Sequence, residues 1–113
     1  MFDEADFAPC KLSEYQGKFS VLFTRFDERF YHQVRAHNGQ GGGHSLQAMV
    51  QAAIEIDGTK LADIRFDSEA DMFVARGEKS SLKTIAGIVR RLLGDPTFAE
   101  QAIAHSISRG EFD

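Results

Sequence analysis

The stretch ADIRFDSEADMFVARG, Ala62–Gly77, decides how the rest of the chain is read. Ile64 and Phe66 lead in, SEAD turns the chain, and Met72 to Ala75 lead out, which predicts a β-hairpin. MFVA is almost wholly apolar, so its strand is expected at the centre of a sheet with both faces covered. Immediately afterwards the period changes. Leu82, Ile85, Ala86, Val89 and Leu93 recur at helical spacing, with Ser80 or Ser81 as the expected N-cap. Gly94 stops that helix. Asp95-Pro96 opens another, with Asp as N-cap and Pro at the first position, where its missing N–H does no harm. Phe98, Ala102 and Ile103 line the apolar side of this last helix.

The same order occurs upstream. In FAPCKLSEYQGKFSVLFT, Phe7–Thr24, Ala8, Cys10 and Leu12 alternate with Pro9, Lys11 and Ser13, and Phe19, Val21 and Phe23 alternate with Ser20, Leu22 and Thr24. Gln16-Gly17 supplies the turn between two strands, and Pro9 marks the first as an edge strand or its opening residue. RFDERFYHQVRAH, Arg25–His37, places Phe26, Phe30 and Val34 four apart, an amphipathic helix with Asp27 at its start. The glycine-rich NGQGGGHS, Asn38–Ser45, separates it from a second helix. That helix carries Leu46, Met49, Val50, Ala53 and Ile54 on one face and closes at Asp57-Gly58, with Gly58 past its end. Residues 1–6 are expected to be ragged, and the tail SRGEFD to fray. The expected fold is α+β: an antiparallel four-stranded sheet with helices packed on it, order ββαα-ββαα, in a single domain spanning residues 1–113.

Composition narrows the function. Lys and Arg number 13 against 17 Asp and Glu, a net charge of −4, which argues against nucleic acid as a partner and suits a basic protein. Cys10 is the only cysteine, so the chain makes no internal disulfide and no CxxC pair. No apolar run approaches the ~18 residues needed to span a bilayer, and MFDEADF lacks a signal pattern. The expected setting is cytoplasmic, without membrane contact, as a monomer or weak homodimer.

The glycine loop admits several uses. Its Gly43 is followed by His44-Ser45, without the Lys of a P-loop, and it follows a helix instead of a strand. As an anion site at a helix N-terminus, it would make the chain a regulatory domain that binds a nucleotide or another small anion. As a connection, it would turn tightly between helices, with Ser45 capping the second. As a recognition loop it would offer Asn38, Gln40 and His44 to a partner. His37 and His44 straddle it, and a metal-dependent enzyme built on them is a third class. His32 and His37 miss the i, i+4 spacing, however, and solvated imidazoles account for all four histidines (His105 included), so no metal or cofactor is expected. Asp67, Glu69 and Asp71 in the hairpin turn read as a solvated turn or as an acidic contact patch for a basic partner. Arg76, Lys79, Lys83, Arg90 and Arg91 read as a basic stripe on the third helix. No nucleophile stands in a catalytic pattern, and Cys10 belongs in the core. No catalytic residues are assigned, and the reading favours binding over enzymatic activity.

Three stretches in this order and spacing resemble immunity protein family fifty-one of bacterial polymorphic toxin systems. They are NGQGGGHSLQAMVQAAIE, the hairpin with its following helix, and GDPTFAEQAIAHS, together covering roughly residues 37–106. The most specific piece is FDSEADMFVARGEKSSLKTIAGIVRRL. In it Phe66, Asp67, Glu69, Ala70, Met72 and Phe73 occupy the family's F-D-x-E-A-x-M-F pattern. Just after its glycines the family carries aromatics, where this chain has His44 and Leu46. The resemblance implies a protein that is not an enzyme, and that binds and neutralises a cognate toxin by forming a tight complex over its active or essential surface. The contact residues expected on this chain are Asn38, Gln40, His44, Asp67, Glu69 and Asp71.

Overall fold

A computed structural model describes residues 4–61 and 63–112. Its elements run β1 (Lys11–Tyr15), β2 (Lys18–Phe23), α1 (Glu28–Arg35), α2 (Gly42–Asp57), β3 (Arg65–Phe66), β4 (Phe73–Gly77), α3 (Lys79–Gly94) and α4 (Pro96–Ser108). The four strands form one antiparallel sheet in the order β1-β2-β4-β3, so the expected α+β fold and its ββαα-ββαα order are observed.

The register follows from side-chain alternation. Leu12, Val21, Ala75 and Phe66 form one rung across all four strands, and Phe23 opposes Phe73 on the same face. These residues join the core. Helices α2 and α3 pack on β4, and α4 packs on both of them, so the helices cover this face. Apolar Phe73, Val74 and Ala75 are all buried, as expected of a strand inside the sheet. The β1–β2 turn takes its two-residue form because Gln16 and Gly17 both adopt left-handed backbone, at φ 52° and 77°. That geometry matches the right-handed twist of the flanking strands.

Helix ends obey local chemistry. The Asp27 carboxylate accepts the Phe30 N–H at 2.8 Å and the Asp95 carboxylate accepts the Phe98 N–H at 3.1 Å, each satisfying an otherwise orphaned donor. Gly58 closes α2 in a left-handed conformation, and the Thr59 N–H reaches back to the Ile54 carbonyl at 3.0 Å. Asp95→Ala is expected to cost about 1 kcal/mol. Thermal melting should show a fall of roughly 4 °C for a chain of this length.

Five local expectations need correction. Helix α3 begins at Lys79 with Glu78 as N-cap, so Ser80 and Ser81 lie inside it, and Ser81 is buried. Helix α2 begins within the glycines, so Ser45 sits in its first turn and does not cap it from outside. The first strand starts at Lys11. Before it, Glu4–Phe7 form a 3-10 helix whose Phe7 is wholly buried, and a cis Ala8–Pro9 bond leads to Cys10. The rest of the ragged start, Met1–Asp3, lies outside the described residues. The tail is anchored to Phe112: Gly110 turns left-handed, the Glu111 N–H bonds the Ser106 carbonyl at 2.9 Å, and Phe112 packs on the core. Strand β3 has only two residues because Ser68 takes over the ladder, its hydroxyl accepting the Val74 N–H at 3.0 Å.

The basic stripe is also redistributed. Arg76 lies on β4 and pairs with Asp67 at 3.0 Å. Arg90 donates to the Ala8 carbonyl at 2.7 Å, and Lys79 sits 4.7 Å from the Phe19 ring centroid. Arg91 reaches Asp57 at 3.4 Å while lying over the Phe98 ring. The α3 cations thus tie that helix to its neighbours.

Candidate functional site

The glycine run begins where α1 ends. Asn38 adopts a left-handed conformation at φ 65°, and the Gly39 N–H bonds the Val34 carbonyl at 2.8 Å. Asn tolerates this conformation through its short polar side chain. The chain then crosses to α2, and the reason for consecutive glycines appears at Gly42 and Gly43. A Cβ on Gly42 would overlap the Ala70 carbonyl oxygen, and one on Gly43 would overlap the carbonyl oxygens of Glu69 and Met72. The N-terminus of α2 is therefore seated directly on the backbone of the β3–β4 turn. The Gly43 N–H donates to the Ala70 carbonyl at 3.1 Å, and the Ser45 hydroxyl accepts the Gly41 N–H at 2.9 Å.

The turn itself is closed by paired bonds between Glu69 and Met72, at 2.7 and 3.2 Å. Its carboxylates point outward: Asp67, Glu69 and Asp71 are all exposed, as are Asn38, Gln40 and His44. Two segments at opposite ends of α2 and the loop that follows it thus form one polar surface, joined by close backbone contact. Of the three carboxylates, Asp67 is engaged by Arg76. Glu69 and Asp71 have no ion-pair partner among the described residues and project negative charge at a helix N-terminus, where such charge is favoured. This packing also bears on the anion reading of the loop. Gly41, Gly42 and Gly43 are buried, and the oxygens facing Gly42 and Gly43 are carbonyls, which repel phosphate.

Tyr31 is a site neighbour that sequence reasoning missed. Its ring fills the space a Cβ on Gly41 would take, and the Arg35 guanidinium lies 5.0 Å from the ring centroid. An open groove of about 540 Å³ runs beside it, lined by Glu28, Tyr31, His32, Arg35 and Ala36. The signal was present in the sequence: Tyr31 is an aromatic one step off the Phe26–Phe30–Val34 stripe.

The histidines go elsewhere. His37 bonds the Glu100 carboxylate on α4 at 3.0 Å, while His105 and Arg109 share Glu55 at 3.4 and 2.9 Å. Among the described residues, no group of three or more His, Cys, Asp or Glu is placed to hold a metal ion. Cys10 is buried, and burial pushes its thiol up to about 12, against the smaller opposing pull of Arg90. The thiolate is the reactive form. At pH 8 Cys10 is therefore expected to react with a maleimide at least a hundredfold more slowly in the folded chain than in denaturant. No helix among the described residues is long and apolar enough to cross a membrane.

The fold and this surface define an α+β protein in which a glycine-linked helix and an acidic hairpin turn are presented together. The chain belongs to the Immunity protein 51 family, whose model matches residues 10–109. That match takes in the first hairpin and α1 as well as the motifs from residue 37 onward. No curated protein and no solved structure matches the chain. Membership in an immunity protein family supports a toxin-neutralising role and a toxin as partner.

Proposed function

We propose that the chain acts as a single immunity-protein domain in the bacterial cytoplasm, within a polymorphic toxin system. It binds one cognate toxin tightly, covers the toxin's active or essential surface, and carries out no chemistry of its own. The observation that carries this reading is the match of the Immunity protein 51 family model over residues 10–109. The seating of Gly42 and Gly43 on the Ala70 carbonyl joins the loop and the acidic turn into one surface. Adaptable polar groups at Asn38, Gln40 and His44 supply hydrogen bonding, and Glu69 and Asp71, with Asp67 behind them, supply charge for a basic toxin. A surface held by a rigid scaffold loses little conformational freedom on docking, which favours tight binding. Pairs of nuclease toxins with their immunity proteins are among the tightest complexes known, so such a mode is physically attainable.

The test uses the toxin domain encoded beside this gene. Co-expression of the chain should restore growth to cells making that toxin, and calorimetry should give a one-to-one complex. Continued killing in the presence of abundant folded chain, together with no heat of binding, would overturn the proposal.

A further inference from the structure

A second open groove, of about 460 Å³, shares Ala36 with the Tyr31 groove and is lined besides by His37, Asn38, Ile107, Gly110 and Phe112. The tail builds its apolar part. Gly110 turns left-handed at φ 72°, the Glu111 N–H bonds the Ser106 carbonyl at 2.9 Å, and the Phe112 ring comes to rest where a Cβ on Gly39 would stand. Gly39 is thus to Phe112 what Gly41 is to Tyr31: a place where the missing side chain admits an aromatic ring. Phe112 remains half-buried, Ile107 is 47% exposed and Ala36 is exposed, so the three present apolar surface in one groove. Among the described residues its lining carries no carboxylate, Lys or Arg, and His37 is occupied by Glu100 at 3.0 Å, so nothing there calls for a charged occupant. Asn38 adds an exposed amide to this apolar lining.

The contact residues of the proposed toxin surface, Asn38, Gln40, His44, Asp67, Glu69 and Asp71, are all polar or charged. Tight interfaces are held at a desolvated apolar centre with polar groups around it. The groove supplies that centre. Asn38 belongs to both, and Gly42, where the acidic turn is seated, lies four residues on, at most ~14 Å along the chain. A footprint of ~800 Å² is roughly 30 Å across, so one partner covers loop, turn and groove together. We infer that the toxin anchors itself by inserting the aromatic side chain of a tyrosine or tryptophan into this groove, a placement that rests on the toxin reading. Such a side chain has an apolar body and one polar tip, which matches apolar surface with one amide beside it. Its ring packs offset or edge-to-face on Phe112, and its tip bonds the Asn38 side chain. A free small molecule fits poorly, because sites for those enclose ~70–90% of the ligand and this groove is open. Gly39 and the tail turn preset the Phe112 ring, so little side-chain freedom is lost on docking.

The isotopically labelled chain is mixed with the unlabelled toxin domain encoded beside its gene, and isotope-filtered nuclear Overhauser contacts are read from the Ile107 methyl groups. They should reach aromatic ring protons of the toxin. Ile107→Asn should speed dissociation of the complex about thirtyfold, the effect of losing an interface anchor. Ile56→Asn alters a comparably exposed isoleucine at the other end of α2 and should leave dissociation unchanged. If Ile107→Asn fails to fold, the contacts of the unaltered chain still decide. A complex whose Ile107 methyls reach no toxin proton, or reach aliphatic protons only, would overturn the anchor while leaving the toxin reading standing, as would dissociation of Ile107→Asn at the unaltered rate. Failure of the unaltered chain to form a complex would remove the toxin reading, and the anchor with it.

Discussion

Gly42→Ala is expected to lower the melting temperature by roughly 17 °C, the largest effect of any single methyl group added to the glycine loop. Two costs combine. The new Cβ would overlap the Ala70 carbonyl oxygen, which belongs to backbone and cannot swing aside, and forced repacking of that kind costs about 3 kcal/mol. Gly42 also has φ 71°, where an L side chain costs a further ~1 kcal/mol. Two other glycines separate these effects. Gly43→Ala meets the Glu69 and Met72 carbonyls without a left-handed φ, so it should cost about 3 kcal/mol. Gly58→Ala has φ 66° with nothing within 4 Å, so it should cost only about 1 kcal/mol. Calorimetric melts of the three variants check the order. Equal, small losses at all three positions would mean that the helix and the turn are not in contact.

The second large effect concerns association. Replacing Asp67, Glu69 and Asp71 with Ala together should slow binding of a basic cognate toxin about tenfold to a hundredfold at low salt. Most of the loss should be in the association rate, because charge on an exposed turn steers encounter. It should shrink as salt shortens the range of the field. Asp67 contributes in a second way: its removal releases the Arg76 cation, which adds repulsion towards the same partner. Stability should change little, since all three side chains are exposed. Stopped-flow rates that match the unaltered chain at low salt would remove the acidic turn from the interface.

Much of the scaffold was legible because it rests on local rules. The alternation at Phe19, Val21 and Phe23 and the apolar run at Met72–Ala75 located β2 and β4. Asp27 and Asp95-Pro96 announced helix starts through side-chain chemistry that acts within three residues. What escaped was set by tertiary contact. Glycine has poor helical propensity, so nothing local says that α2 begins at Gly42. It does so because the β3–β4 turn packs there and leaves no room for a side chain. Helix α3 starts at Lys79 without a side-chain cap, so the serines drew the boundary inward. Phe112 sits in a polar tail, yet it packs against Gly39, far away in sequence.

The candidate surface divides the same way. Its six residues were readable from charge and from the glycine cluster. Their use together was expected, but the packing that joins them was not readable, because it depends on a hydrogen bond between Gly43 and Ala70. Tyr31 was hidden by reading α1 only for its buried stripe, although its ring lies on Gly41. Tyr and Arg are enriched among residues that dominate binding energy, so Tyr31 and Arg35 extend the polar surface with the residue types suited to an anchor.

The central claim is that the loop and the acidic turn meet the toxin as one unit. Hydrogen–deuterium exchange on the chain, alone and bound to the toxin domain encoded beside its gene, tests this most directly. The account predicts slowed exchange in residues 38–45 and 67–72 together, with little change at the β1–β2 turn. Protection confined to other elements, with both of these segments exchanging as in the free chain, would contradict it.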